Sequence, residues 1–135
     1  MEIEIREAFD EDLDSINSLL KESFSVTKNN FSSDDIHEIV AVVDSNVVGY
    51  LLYTKVFNPI KNRYYGLIDY VCVLSNYRRM GVARKMLEYV TVLAMKDDLM
   101  YLQLTCSYFR IAAHHLYEKC GFVKRESDIF RKEII

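Results

Sequence analysis

Between Leu67 and Lys85 the chain changes its hydrophobic period abruptly. Leu67-Ile68-Asp69-Tyr70-Val71-Cys72-Val73-Leu74 is a nearly continuous apolar run, and beyond it Val82, Met86, Val90, Leu93 and Ala94 recur at helical spacing. The run suits a strand buried on both faces, and the recurrence is the buried stripe of an amphipathic helix. A strand that feeds a helix through a short polar turn commits the chain to a sheet with helices packed on it. The junction also leaves the first backbone N–H groups of the helix without intrahelical partners, which makes an anion site. Gly81 has no Cβ to obstruct an anion, and Arg78, Arg79, Arg84 and Lys85 add positive charge to a chain of formal net charge −3. A solvated basic helix start is the other reading of the same residues. Neither a Walker-type phosphate loop nor a Gly-x-Gly-x-x-Gly fingerprint occurs, so nucleotide hydrolysis and Rossmann-type binding are poorly supported.

The rest of the chain supplies the other layers. Glu2–Arg6 alternates charge with Ile and reads as a first strand, and Asp10-Glu11-Asp12 opens a helix whose stripe is Leu13, Ile16 and Leu20. Lys28-Asn29-Asn30 interrupts that pattern, and Ser32-Ser33-Asp34-Asp35 reads as the cap of a second, short helix. Ile39–Val43 and Val47–Tyr53 form a hairpin around Asp44-Ser45-Asn46, and Tyr64–Leu74 is the central strand. A helix over Arg79–Met95, a strand over Tyr101–Cys106 and a helix over Ile111–Lys119 follow, the last stopped by Cys120-Gly121. Phe122–Lys124 and Ile129–Ile134 read as two closing strands. The order is therefore β α α β β β α β α β β, with no repeat, and a central sheet flanked by helices is its natural packing.

Composition narrows the function classes. The chain has 135 residues, half of them hydrophobic, which suits one compact domain over residues 1–135. The longest apolar run, Ile39–Val43, is too short to cross a bilayer, and Glu2, Glu4 and Arg6 interrupt the N-terminus where a signal peptide would need apolar residues. Cys72, Cys106 and Cys120 are odd in number and widely spaced, which suits reduced thiols and a cytoplasmic location. With His37, His114 and His115 they make no zinc spacing, so no metal is expected. The acidic net charge disfavours a nucleic-acid partner.

Arg78-x-x-Gly81-x-Ala83 resembles the Arg/Gln-x-x-Gly-x-Gly/Ala signature of the GNAT superfamily of N-acetyltransferases. Ala113-His114-His115-Leu116-Tyr117-Glu118-Lys119-Cys120-Gly121-Phe122 is similar to a second segment of that family, and Ile5-Arg6-x-Ala8 with Glu11 to its opening. The resemblance implies an α+β fold with a mixed, mostly antiparallel sheet of about seven strands and four helices. Two of its strands, the one before the signature and Tyr101–Cys106, splay to hold acetyl-coenzyme A. The pantetheine arm would pair with backbone near Val71, Cys72 and Val73, and the pyrophosphate would sit on the amides of Arg79, Met80, Gly81, Val82 and Ala83, beside Arg78. Side chains at Met80 and Val82 are expected to be packing residues.

The implied chemistry is attack of a neutral amine on the thioester, which asks for a base, an oxyanion donor and an acid for the departing thiolate. Tyr117 matches the family's acid. Asp69 stands where many members carry a Glu that takes the amine's proton through a water, and it is the only carboxylate of its strand. A catalytic base and a structural acceptor for backbone N–H groups or a nearby Tyr are both open for it. Arg110 replaces a common family Asn, and Arg79 stands where relatives often have Gly, so its side chain must turn outward. Cys72 and Cys106 read as small hydrophobes, for no activating base accompanies them. Acetyl transfer to a small-molecule amine is the expected activity. A protein or peptide acceptor and a coenzyme A-binding regulatory domain without turnover are the alternatives. The oligomeric state is open, a homodimer included.

Overall fold

A computed structural model describes residues 1–135. By internal packing the chain divides into two compact units, Met1–Thr105 and Cys106–Ile135. The first holds a 5-stranded sheet in the order β1-β2-β3-β4-β5: β1 Glu4–Glu7, β2 Ile36–Val43, β3 Asn46–Asn58, β4 Arg63–Val73 and β5 Leu102–Gln103. Neighbours from β1 to β4 pair antiparallel, and β4 pairs parallel with β5, so the sheet is mixed. Asp44 and Ser45 form the two-residue turn between β2 and β3, both with positive φ (48° and 67°). That twist suits a tight hairpin, and Asp tolerates it.

Two helices cover the sheet. Helix α1, Leu13–Phe24, presents Ile16, Leu19 and Leu20 to Val40, Tyr50 and Cys72. Helix α2, Val82–Lys96, packs its stripe on the opposite face, where Gly49 lets it approach closely: a Cβ there would lie 3.0 Å from Met86 Cε and Val82 Cγ1. The second unit contains one helix, α3, Ile111–Lys119, and Gly121 follows it at φ +91°. No helix is long and apolar enough to cross a membrane.

Several expectations are corrected. The structure has five strands and three helices rather than about seven and four. Ser32–Asp35 caps no helix: Ser33 Oγ accepts from the Asp35 amide at 3.3 Å, and the Asp35 carbonyl accepts from the Lys55 amide at 2.7 Å. The β-branched residues that follow join β2 from Ile36 onward, and a local hydroxyl bond of this kind competes with helix formation. Phe122–Lys124 and Ile129–Ile134 form no strands, since alternation alone does not make a strand without a ladder partner. Tyr101–Cys106 shrinks to the two residues of β5. Helix α2 begins at Val82, not Arg79, because Arg79 and Gly81 take positive φ (64° and 84°).

Candidate active site

Strand β4 carries an irregularity at its functional end. Cys72 lies opposite Tyr50 and Asp69 opposite Leu52, so the single residue Leu51 faces both Tyr70 and Val71. The extra residue is absorbed by Tyr70, whose φ is +55°. For a bulky L-residue this left-handed conformation is strained, and strained backbone concentrates at functional sites. In a regular strand Asp69 and Tyr70 would point to opposite faces. Here they do not. Leu52, the cross-strand partner of Asp69, packs against the α1-side core, and Tyr70 meets Phe24 of α1 edge to face with ring centroids 5.2 Å apart. Both residues are exposed.

Asp69 accepts no hydrogen bond and forms no ion pair, so the structural-acceptor reading has no partner to rest on. Its premise is corrected too: β4 is not buried on both faces, and water solvates the carboxylate. The neighbouring carboxylate on that face is fully engaged. Glu38 accepts from the Tyr50 hydroxyl at 2.7 Å and pairs with Lys28 at 3.2 Å. Asn17 grips Lys28 from α1, its side chain donating to the Lys28 carbonyl (3.1 Å) and accepting from the Lys28 amide (2.8 Å). Asp69 is therefore the free carboxylate of the pair. Cys72 is buried in the α1-side core, where burial pushes its thiol up to about 11, so it is no thiolate at neutral pH.

Past Leu67, which pairs with Gln103, β4 runs on to Val73 with no partner strand on its β5 side. The backbone of Val71 and Val73 therefore lies along an unladdered strand edge. A short 3-10 turn, Ser75–Tyr77, then turns the chain, and Arg78 folds back so that its Nε donates to the Val73 carbonyl at 3.1 Å. This bond joins the end of β4 to the start of α2. The first helical amide to find a partner is that of Lys85, donating to the Gly81 carbonyl at 3.1 Å. The amides of Arg79, Met80, Gly81, Val82, Ala83 and Arg84 donate to nothing in the protein. A Cβ on Gly81 would meet no atom within 4 Å, so this row of donors borders open space. Arg84 pairs with Glu88 at 3.1 Å, whereas Arg79 and Lys85 are exposed and unpaired. Val82 is buried as a packing residue, but Met80 is 51% exposed, because the left-handed residues on either side turn it away from the core.

Tyr117 belongs to the second unit. It lies on α3, is buried, and meets Phe122 at a steep ring angle, with centroids 6.1 Å apart. Burial raises its pKa above the ordinary phenol range, Cys106 and Cys120 add to the rise, and Arg110 opposes it. The phenol is thus protonated throughout the neutral range. Of the two histidines on α3, His115 is exposed and His114 is half-buried, with Nε2 2.8 Å from the Ser107 carbonyl. No cluster of His, Cys, Asp and Glu in the chain could hold a metal ion.

The sequence singles out the Arg78–Ala83 turn and Asp69, but it gives no sign of the left-handed Tyr70 beside Asp69. No residue type announced the bulge, since tyrosine has no preference for positive φ.

Residues 3–122 match the family model described as the acetyltransferase (GNAT) family. No curated protein matches the chain. Among solved structures, an aminoglycoside acetyltransferase from an uncultured soil metagenomic sample superposes with a TM-score of 0.86 at 19% identity, covering 100% of each chain. A ribosomal-protein-alanine N-acetyltransferase from Brucella melitensis biovar Abortus gives 0.83 at 18% identity, covering 98% of this chain and 100% of that one. A transcriptional regulator from Bacillus halodurans gives 0.86 at 20% identity, with coverage of 98% and 100%. Their names differ in substrate and role, and what they share with this chain is the fold.

Proposed function

Because the chain belongs to the acetyltransferase (GNAT) family, we propose that it moves an acetyl group from acetyl-coenzyme A to the primary amine of a small molecule. Transfer is direct, in a ternary complex, and residues 1–135 act as one catalytic domain in the cytoplasm. The observation that carries this reading is the row of free amides from Arg79 to Arg84, bordering open space at Gly81. Consecutive free N–H groups at a helix start suit a pyrophosphate, and the unpaired Arg79 and Lys85 strengthen its attraction. The edge of β4 at Val71–Val73 suits the amide-bearing arm of the same molecule, as an added strand would. Acetyl-coenzyme A supplies the acetyl group as a thioester.

The chain's own groups handle the protons. An amine reaches the site as an ammonium ion, and the Asp69 carboxylate takes its proton, directly or through a water. The amine nitrogen then bonds the acetyl carbon as the C–S bond breaks, and the sulfur leaves with the electron pair. Tyr117, assigned on its motif, returns a proton to that sulfur. Its hydroxyl is protonated at neutral pH, as an acid must be, and burial reinforces that state.

The test is release of free thiol from acetyl-coenzyme A by the purified chain with polyamines, aminoglycosides, amino acids and short peptides. Amine-dependent release is the expected result, and Asp69→Asn should lower the rate at neutral pH. The loss should shrink as pH rises and more of the amine is already neutral. Binding of acetyl-coenzyme A without thiol release for any amine would mark a regulatory domain instead.

A further inference from the structure

We propose that Asp69 and Tyr70 form a single docking pair for the acceptor, and that it selects an aliphatic primary ammonium ion carried on a hydrocarbon stem. This inference rests on the acetyltransferase reading and assigns its acceptor class. Four observations converge on the pair. The bulge places two consecutive side chains on the α1 face of the sheet, where an unbroken strand would offer one. The Asp69 carboxylate has no partner in the protein, whereas Glu38 on the same face is held by Tyr50 and Lys28. Tyr70 is 45% exposed although it is aromatic, and Phe24 braces its ring at right angles (89°). The conformation that puts it there is one that glycine or asparagine would adopt at less cost.

Each half of the pair reads a different part of the ligand. The carboxylate attracts the ammonium head, and a free carboxylate beside an exposed ring discriminates a cation from a neutral isostere. The ring offers a face for the charge and for the methylenes next to it. A strongly hydroxylated stem gains less from that surface than a hydrocarbon one. Phe24 limits the ring's freedom, so little is lost in ordering it when a ligand arrives. Tyr70 is thus a specificity-determining residue, and Asp69 serves both to hold the ammonium and to take its proton.

The experiment is a calorimetric titration of the full chain, with and without saturating coenzyme A, which has no acetyl group to transfer, using n-pentylamine and its neutral counterpart pentan-1-ol. The amine should bind at least tenfold more tightly than the alcohol. Tyr70→Ala should weaken amine binding about tenfold, equal to ~1.4 kcal/mol, and Tyr70→Phe should restore most of it. Tyr70→Asn, which tolerates positive φ, should keep the bulge and the melting temperature and still lose the affinity, which covers the case of an alanine variant that does not fold. Asp69→Asn should bring amine affinity down toward that of the alcohol. In turnover, the Tyr70 variants should raise KM for the amine and leave KM for acetyl-coenzyme A unchanged. Equal affinity for amine and alcohol, or wild-type amine affinity in both Tyr70→Ala and Tyr70→Asn, would overturn the docking pair. The acetyltransferase reading fails separately, if acetyl-coenzyme A itself does not bind, and the titrations without it still decide the pair.

Discussion

Replacing Gly81 by alanine and by glutamate separates the backbone demand at the start of α2 from the binding demand. Gly81 has φ +84°, and a Cβ there would meet nothing within 4 Å. Alanine therefore suffers only the left-handed backbone cost, about 1–2 kcal/mol, with no collision to add. For a chain of this length that lowers the melting temperature by roughly 3–10 °C. Glutamate suffers the same cost and recovers about 0.3–1 kcal/mol, because a carboxylate at a helix N-cap meets the positive end of the dipole. Without ligand, Gly81→Glu should then melt no lower than Gly81→Ala. Acetyl-coenzyme A should reverse that order. At a hundred times Kd it stabilises by about 2.7 kcal/mol, and binding weakened a hundredfold leaves only about 0.4 kcal/mol. Scanning calorimetry of the wild type and both variants, with and without acetyl-coenzyme A, measures both effects at once. The glutamate variant should lose nearly all of the ligand-induced shift, and the alanine variant should keep a measurable part of it. A full wild-type shift in Gly81→Glu would refute the placement of the pyrophosphate. A collapse of Gly81→Ala without ligand would refute the open-space argument.

Two further outcomes follow from the same structure. Tyr117→Phe should lower kcat about 10²–10⁴-fold, with KM for acetyl-coenzyme A unchanged when chemistry is rate-limiting, and a loss within about threefold would sink the acid assignment. Arg6 grips Asp12 through two bonds (2.7 and 3.2 Å) and holds its carboxyl below the usual carboxylate range, so the stability it confers is present at neutral pH and is lost as acid protonates Asp12. The gap in urea midpoint between wild type and Asp12→Asn should therefore be full at pH 7 and close as pH falls through the folded pKa of Asp12, and a gap independent of pH would exclude the ion pair as its source.

Local signals carried most of the fold into the sequence, and pairing signals did not. Helix α3 runs over Ile111–Lys119 as its spacing and Gly121 imply, and the hairpin around Asp44-Ser45 forms as composition implies. Both depend on residues close in sequence. The second helix fails because Ser33 spends its hydroxyl on a turn while Ile36–Val43 pairs with β3, a choice made by partners elsewhere in the chain. The candidate site divides the same way. Arg78, Gly81 and Asp69 were legible because their residue types limit what they can do. The exposure of Asp69 and the side shared with Tyr70 arise from one unmatched residue between β3 and β4. A mismatch of that kind exists only once two strands are in register.

The order of the sheet also bears on how the protein comes together. From β2 to β4 every strand lies beside its neighbour in sequence and joins it through a short turn, so those ladders close without long chain excursions. Short-range pairing of this kind favours rapid folding. The exceptions are β1, which the whole of α1 separates from β2, and β5, which must wait for α2 to pass before Leu102 and Gln103 can meet Gly66 and Leu67. Of these two long-range ladders that of β5 is the shorter, and its amides should be the first in the sheet to exchange with deuterium.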